Sequence, residues 1–143
     1  MSIPKFTEVQ VGDALPELVL PPVSRQTLAL FAGASGDHNP IHLDLDFARA
    51  AGFPDVFAQG MLGMAWLGRL LTGWLPQSQL REWSVRFTAV THVGDRLTCR
   101  GRVVEKLPTA GAADEPRVRV AVEMVDATGD VKIAGSALLA VAH

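Results

Sequence analysis

The chain has 143 residues, 48% hydrophobic and 20% charged, with a formal net charge of -2. That is the composition of an ordinary globular protein with enough chain for a fair-sized core, and scattered Lys and Arg without a basic stripe exclude an electrostatic nucleic-acid binder. The one cysteine, Cys99, excludes an internal disulfide framework and a multi-cysteine metal site.

The opening Met-Ser-Ile-Pro-Lys-Phe-Thr-Glu has no apolar run of the signal-peptide kind. Arg69 interrupts the longest apolar stretch before it can span a bilayer. These features lead one to expect a cytoplasmic protein with no membrane or nucleic-acid partner. Residues 5–20 read as an irregular opening and a first strand, with Leu15, Leu18 and Leu20 among prolines. Ser24 is a good N-cap for a helix through about Gly33. Asp44 can cap a short helix holding Phe47, Ala48, Ala50 and Ala51, stopped by Gly52. Phe53 to Gln59 reads as a loop.

Gly60 to Leu75 is the longest uninterrupted helix candidate, and its apolar residues fall almost all round. Such a helix is expected to be buried on every side. Gly63, Gly68 and Gly73 within it imply close approach of a neighbour. Beyond Pro76 the period becomes two. Trp83, Val85, Phe87 and Ala89 form one alternating set, and Leu97, Cys99, Gly101 and Val103 a second. Val118, Val120, Val122 and Met124 form a third, and Val131, Ile133, Gly135, Ala137 and Leu139 the last. Cys99 in such a set reads as a small buried hydrophobe. Asp126 to Asp130 is a hairpin turn, Gly94-Asp95 marks another, and Pro108 to Pro116 is a small-residue loop. Helices first and an antiparallel sheet afterwards mean an α+β class, as one domain over residues 1–143. A curved sheet wrapped around the apolar helix, the hot-dog arrangement, would cover it.

Chemistry concentrates in Phe31 to His42, Phe-Ala-Gly-Ala-Ser-Gly-Asp-His-Asn-Pro-Ile-His. Asp37 stands five residues before His42, and such a pair can move protons near neutral pH. Pro40 breaks helical geometry between them, so they converge across a turn. Two readings stand: a surface turn, since Gly, Asp, His, Asn and Pro all favour turns, or a partly buried catalytic turn, since Phe31, Ala32, Ile41 and Leu43 flank it.

Ser35-Gly-Asp-His-Asn-Pro-Ile-His42 resembles the hydratase motif of the MaoC-like, (R)-specific enoyl-CoA hydratases. The resemblance continues through Gln59-Gly60-Met61-Leu62 and through Val85 to Val90 with Val93-Gly94-Asp95, so it covers most of the chain. Within that family the chain is particularly similar to the single-domain dehydratase subunits acting on (3R)-hydroxyacyl thioesters. The resemblance implies a hot-dog hydro-lyase adding water to trans-2-enoyl thioesters. Asp37 and His42 are then the catalytic pair around one water, Asn39 supports the turn, and the Gly60 backbone N–H meets the thioester oxygen at a helix N-terminus. It implies no metal and no separate cofactor, with CoA or acyl-carrier phosphopantetheine as part of the substrate. A homodimer or higher oligomer is expected, with a heteromeric dehydratase subunit as an alternative and a hot-dog thioesterase as another. Two positions depart from the family: Gln59, where many members have His, and Gly68, where some have Ser. His38, His92 and His143 read as solvated, Met61, Met64, Trp66 and Leu67 mostly as core, and Arg86, Arg100 and Arg102 take no assigned role.

Overall fold

The computed structural model describes residues 3–109 and 115–143, and the middle of the loop read from Pro108 to Pro116 lies outside the described residues. A short strand β1 (Leu18–Val19) is followed by helix α1 (Arg25–Ser35). Ser24 caps α1 by accepting the Thr27 N–H at 3.1 Å. The helix runs past the expected end at Gly33 to Ser35, where Gly36 takes a left-handed φ of 76° and stops it. A 3-10 turn, Pro40–His42, leads to α2 (Leu45–Ala50). Asp44 caps α2, its Oδ1 accepting the N–H groups of Asp46 at 2.9 Å and Phe47 at 3.1 Å.

Helix α3 (Gly60–Trp74) precedes four longer strands, β2 (Leu80–Phe87), β3 (Thr98–Leu107), β4 (Arg117–Val125) and β5 (Val131–Ala140). They form one sheet in the order β1-β3-β4-β5-β2, with every pairing antiparallel. Most of the period-two residues land on the buried face, whereas Phe87 of the first set is exposed and the end of β5 is buried on both faces. Cys99, Val103, Val118, Val120, Val122, Met124, Ile133, Ala137 and Leu139 are buried. Burial pushes the Cys99 thiol up to about 12, against a small opposing pull from Arg69, so it stays a protonated hydrophobe. Against this face α3 buries Leu62, Gly63, Trp66, Leu67, Leu70 and Leu71. The helix therefore fills the cup of the sheet, as a hot-dog arrangement demands. No helix among the described residues is long and apolar enough to cross a membrane.

Three expectations are corrected. The central helix is not covered all round: Met61, Ala65, Arg69 and Thr72 form an exposed stripe, Met61 at 56%. Composition missed it because two of the four are apolar. Strand β2 stops at Phe87, short of Ala89, because the N–H groups of Thr88 and Ala89 both turn to the Lys132 carbonyl and the ladder breaks. Of the three helix glycines, Gly63 and Gly68 do meet neighbours. A Cβ at Gly63 would strike the Ile133 side chain, and one at Gly68 would lie 3.0 Å from the Trp83 ring. Gly73 faces open space, with nothing within 4 Å, and the fold does not explain it.

The tightest glycine among the described residues lies in the sheet. Gly135 is opposite Val85 in β2 and Val122 in β4, and a Cβ there would run into the Ser84 carbonyl. Backbone cannot yield as a side-chain tip does. Gly135→Ala is expected to lower stability by roughly 3 kcal/mol in urea denaturation. Gly73→Ala in the same measurement should be neutral or raise stability by about 0.5 kcal/mol, through helix propensity.

Candidate active site

Short-range hydrogen bonds shape the turn after α1. Ser35 Oγ donates to the Phe31 carbonyl at 2.7 Å and accepts the Asp37 N–H at 3.2 Å. Asp37 Oδ1 accepts the Asn39 N–H at 3.3 Å, and Asn39 Oδ1 accepts the Ile41 N–H at 3.1 Å. Small polar side chains thus replace helix carbonyls as partners, which is why Ser, Asp and Asn stand here. Pro40 fits the first position of the 3-10 turn, where no N–H is needed.

The turn drives His42 inward and leaves Asp37 partly exposed. The side chains are 11% and 42% exposed, so the buried member of the pair is the imidazole. His42 Nε2 lies 3.8 Å from Asp37 Oδ2. That is too long for a hydrogen bond and short enough for one water to span. On its other side His42 Nδ1 lies 2.7 Å from the Phe57 carbonyl. A carbonyl only accepts, so Nδ1 is the donor in this contact, and the nitrogen facing Asp37 is Nε2. The Phe57 ring meets the imidazole edge to face at 5.1 Å and 84°, and Phe53 packs on Phe57 at 4.7 Å. His38, His92 and His143 are exposed.

Three residues after Phe57, Gly60 opens α3. Gln59 is the N-cap residue but makes no side-chain cap, which leaves the first N–H groups of α3 uncapped by it. A cavity of about 360 Å³ lies here, lined by residues 57–60, Gly63, residues 87–91 and Ile133, none of them charged. Gly60 therefore reaches the cavity. Asp37 and His42 are not part of its lining, and the link between them and it is the Phe57 segment. Trp66 and Leu67 are core, Met61 is exposed, and neither they nor Met64 line this cavity. A larger hollow of about 460 Å³ lies elsewhere, lined by Ala14, Leu15, Glu17, residues 100–102, Val104, residues 121–123, Ala134 and Gly135. Its arginines are engaged, Arg100 with Glu123 at 3.1 Å and Arg102 with the Gly12 carbonyl at 2.6 Å. Among the described residues no group of three or more His, Cys, Asp or Glu is placed to hold a metal ion.

Two contributors escaped sequence reasoning. The Phe57 carbonyl is backbone and has no sequence signature. Lys132, 4% exposed, sits among Asp130 at 2.9 Å, Asp126 at 3.1 Å and Asp95 at 3.9 Å. Three aspartates in two predicted turns around one strand lysine were the available signal. Burial works to push the Lys132 ammonium down, but its hydrogen bonds to Asp130 and Asp126 outweigh burial and hold it above its ordinary value. The same residue's carbonyl receives Thr88 and Ala89, so the cluster stands behind one wall of the cavity.

An antiparallel sheet cupping one central helix, with an Asp–His turn tied to the segment that opens that helix, defines a hot-dog protein with a candidate proton-handling site. The chain belongs to the MaoC like domain family, which matches residues 10–126. It is 30% identical over 96 residues to the mitochondrial 3-hydroxyacyl-[acyl-carrier-protein] dehydratase of Arabidopsis thaliana, covering 67% of this chain and 57% of that one. It is 32% identical over 88 residues to the (R)-specific enoyl-CoA hydratase of Rhodospirillum rubrum, covering 60% and 61%. The chain thus spans about three fifths of the length of these relatives. Among solved structures it superposes on the R-hydratase PhaJ1 from Pseudomonas aeruginosa with a TM-score of 0.82 and 31% identity, over 97% of this chain and 86% of that one.

The Lys132 cluster carries an acid dependence. The Thr128 hydroxyl, then Lys132 and the N–H groups of Thr128 and Asp130, hold the Asp126 carboxyl well below the usual carboxylate range against the effect of burial. A carboxyl that ionises more readily folded than unfolded adds stability above its unfolded value of about 4, lost as pH falls through its folded value. Melting temperature should therefore fall on acidification below about pH 4. The acid limb should be shallower in Asp126→Asn, as scanning fluorimetry over that range would show.

Proposed function

We propose that the chain is a hydro-lyase that reversibly hydrates trans-2-enoyl thioesters to (R)-3-hydroxyacyl thioesters, carried by CoA or by acyl-carrier phosphopantetheine. The observation that carries this reading is the approach of a carboxylate to imidazole Nε2 at 3.8 Å, with Nδ1 held by a carbonyl. Kinship with proteins named hydratase and dehydratase supports it.

In this reading both groups facing the gap are acceptors, so one water donates an O–H to each. As the water oxygen bonds to C3, one of the pair takes a proton and the C2–C3 π electrons move towards the carbonyl carbon. Negative charge gathers on the thioester oxygen. The uncapped N–H of Gly60 donates to it, a contribution of roughly 3–4 kcal/mol per donor in comparable sites. The proton then passes from the pair to C2, so H and OH add from one side. Asn39 supports the turn through its bond to Ile41. Water addition is redox-neutral overall and needs only proton transfers, so the proposal includes no metal or redox cofactor.

The same proposal treats residues 1–143 as one functional domain and places it in the cytoplasm. It also includes a homodimer or higher oligomer, with a heteromer as the alternative. The exposed stripe of α3 and the edge strand β2, whose Phe87 is 53% exposed, support self-association.

Purified protein should consume crotonyl-CoA or a longer enoyl thioester, followed by loss of enoyl absorbance. Asp37→Asn and His42→Ala should each lower kcat by roughly a thousandfold with the melting temperature retained. No hydration by the native protein, or full activity in Asp37→Asn, would overturn the proposal. Release of free thiol in place of hydration would mean thioesterase chemistry.

A further inference from the structure

Gln59 is the most deeply buried polar side chain among the described residues, 1% exposed against 4% for Lys132 and 9% for His42. Its Nε2 donates to the Leu28 carbonyl of α1 at 3.0 Å. Because that carbonyl can only accept, the amide cannot be turned over without losing the bond. Oε1 is consequently buried and has no hydrogen-bond partner among the described residues. A buried acceptor without a donor works against folding, and an apolar side chain of the same length would not. Stability therefore does not account for glutamine here. Capping does not either, since Gln59 holds the N-cap position of α3 and makes no side-chain cap.

The bond does join the parts of the site. Leu28 lies in α1, whose end delivers Ser35, Gly36 and Asp37. Gln59 stands two residues after Phe57, whose carbonyl holds His42, and one before Gly60. Alongside it, the Ala58 N–H donates to the Thr91 carbonyl at 2.9 Å in the cavity wall. Resting on the reading of Asp37 and His42 as the working pair, we infer that Gln59 is a positioning residue. Through the Leu28 carbonyl it sets the separation between the helix that carries Asp37 and the segment that holds His42 and presents Gly60. It does so at the expense of stability.

The test is Gln59→Met, which keeps length and removes both polar atoms, with Gln59→Leu as a second apolar replacement. Hydration kinetics on crotonyl-CoA, thermal melting and the His42 Nδ1–H resonance by NMR are measured on native and variant proteins. The expected result is a melting temperature equal to or above native, and a kcat lower by roughly ten- to hundredfold, as misplacement of reacting groups produces. KM should stay within about twofold, and the Nδ1 proton should exchange faster with water. An unchanged kcat overturns the assignment. So does a loss of activity that only tracks a lower melting temperature or failure to fold, because Gln59 would then be structural. The Asp37→Asn variant is run beside them. If it keeps native turnover, the pair itself has been misread. If it is inactive while Gln59→Met is unimpaired, the role of Gln59 alone has failed.

Discussion

A backbone carbonyl accepts hydrogen bonds and never donates them, and the candidate site is built on that asymmetry. The Phe57 carbonyl, 2.7 Å from His42 Nδ1, makes that nitrogen the donor and leaves Nε2 on the side of Asp37. The same contact decides where the ring lies, because the Phe57 side chain packs against its edge. A side-chain acceptor could rotate away. A carbonyl fixed by neighbouring backbone bonds, among them Ala58 to Thr91, cannot.

What holds Phe57 in place is the fold itself. The segment 57–60 is the lead-in to α3, and α3 is anchored by side chains buried against the sheet. Close packing of Gly63 on Ile133 and of Gly68 on Trp83 seats the helix deep in the cup. Before the pair in the chain, α1 ends where Gly36 turns left-handed, and Ser35 fastens the start of the turn to the Phe31 carbonyl. Two helix ends, one stop and one start, thus meet at the pair.

Much of this was legible in the order of the amino acids alone. Ser24 and Asp44 announced their helices because capping is local chemistry, and the strands announced themselves by alternation against a buried face. The motif residues pointed to a turn because Ser, Asp, Asn and Pro each bond or constrain the chain within a few residues. Contacts made by backbone, or across many residues, were not legible. Nothing in the sequence marks Phe57 as an acceptor, or Leu28 as the partner of Gln59 thirty-one positions away. Met61 and Ala65 misled for a related reason: an apolar side chain looks the same in sequence whether or not something covers it.

The cavity at the head of α3 has no charged residue among its described lining. With no counter-charge in that lining, an ionised group gains nothing there to offset the hydration it gives up, whereas an uncharged one gives up less. Of a molecule with one charged and one neutral end, the neutral end is therefore the one that this wall favours.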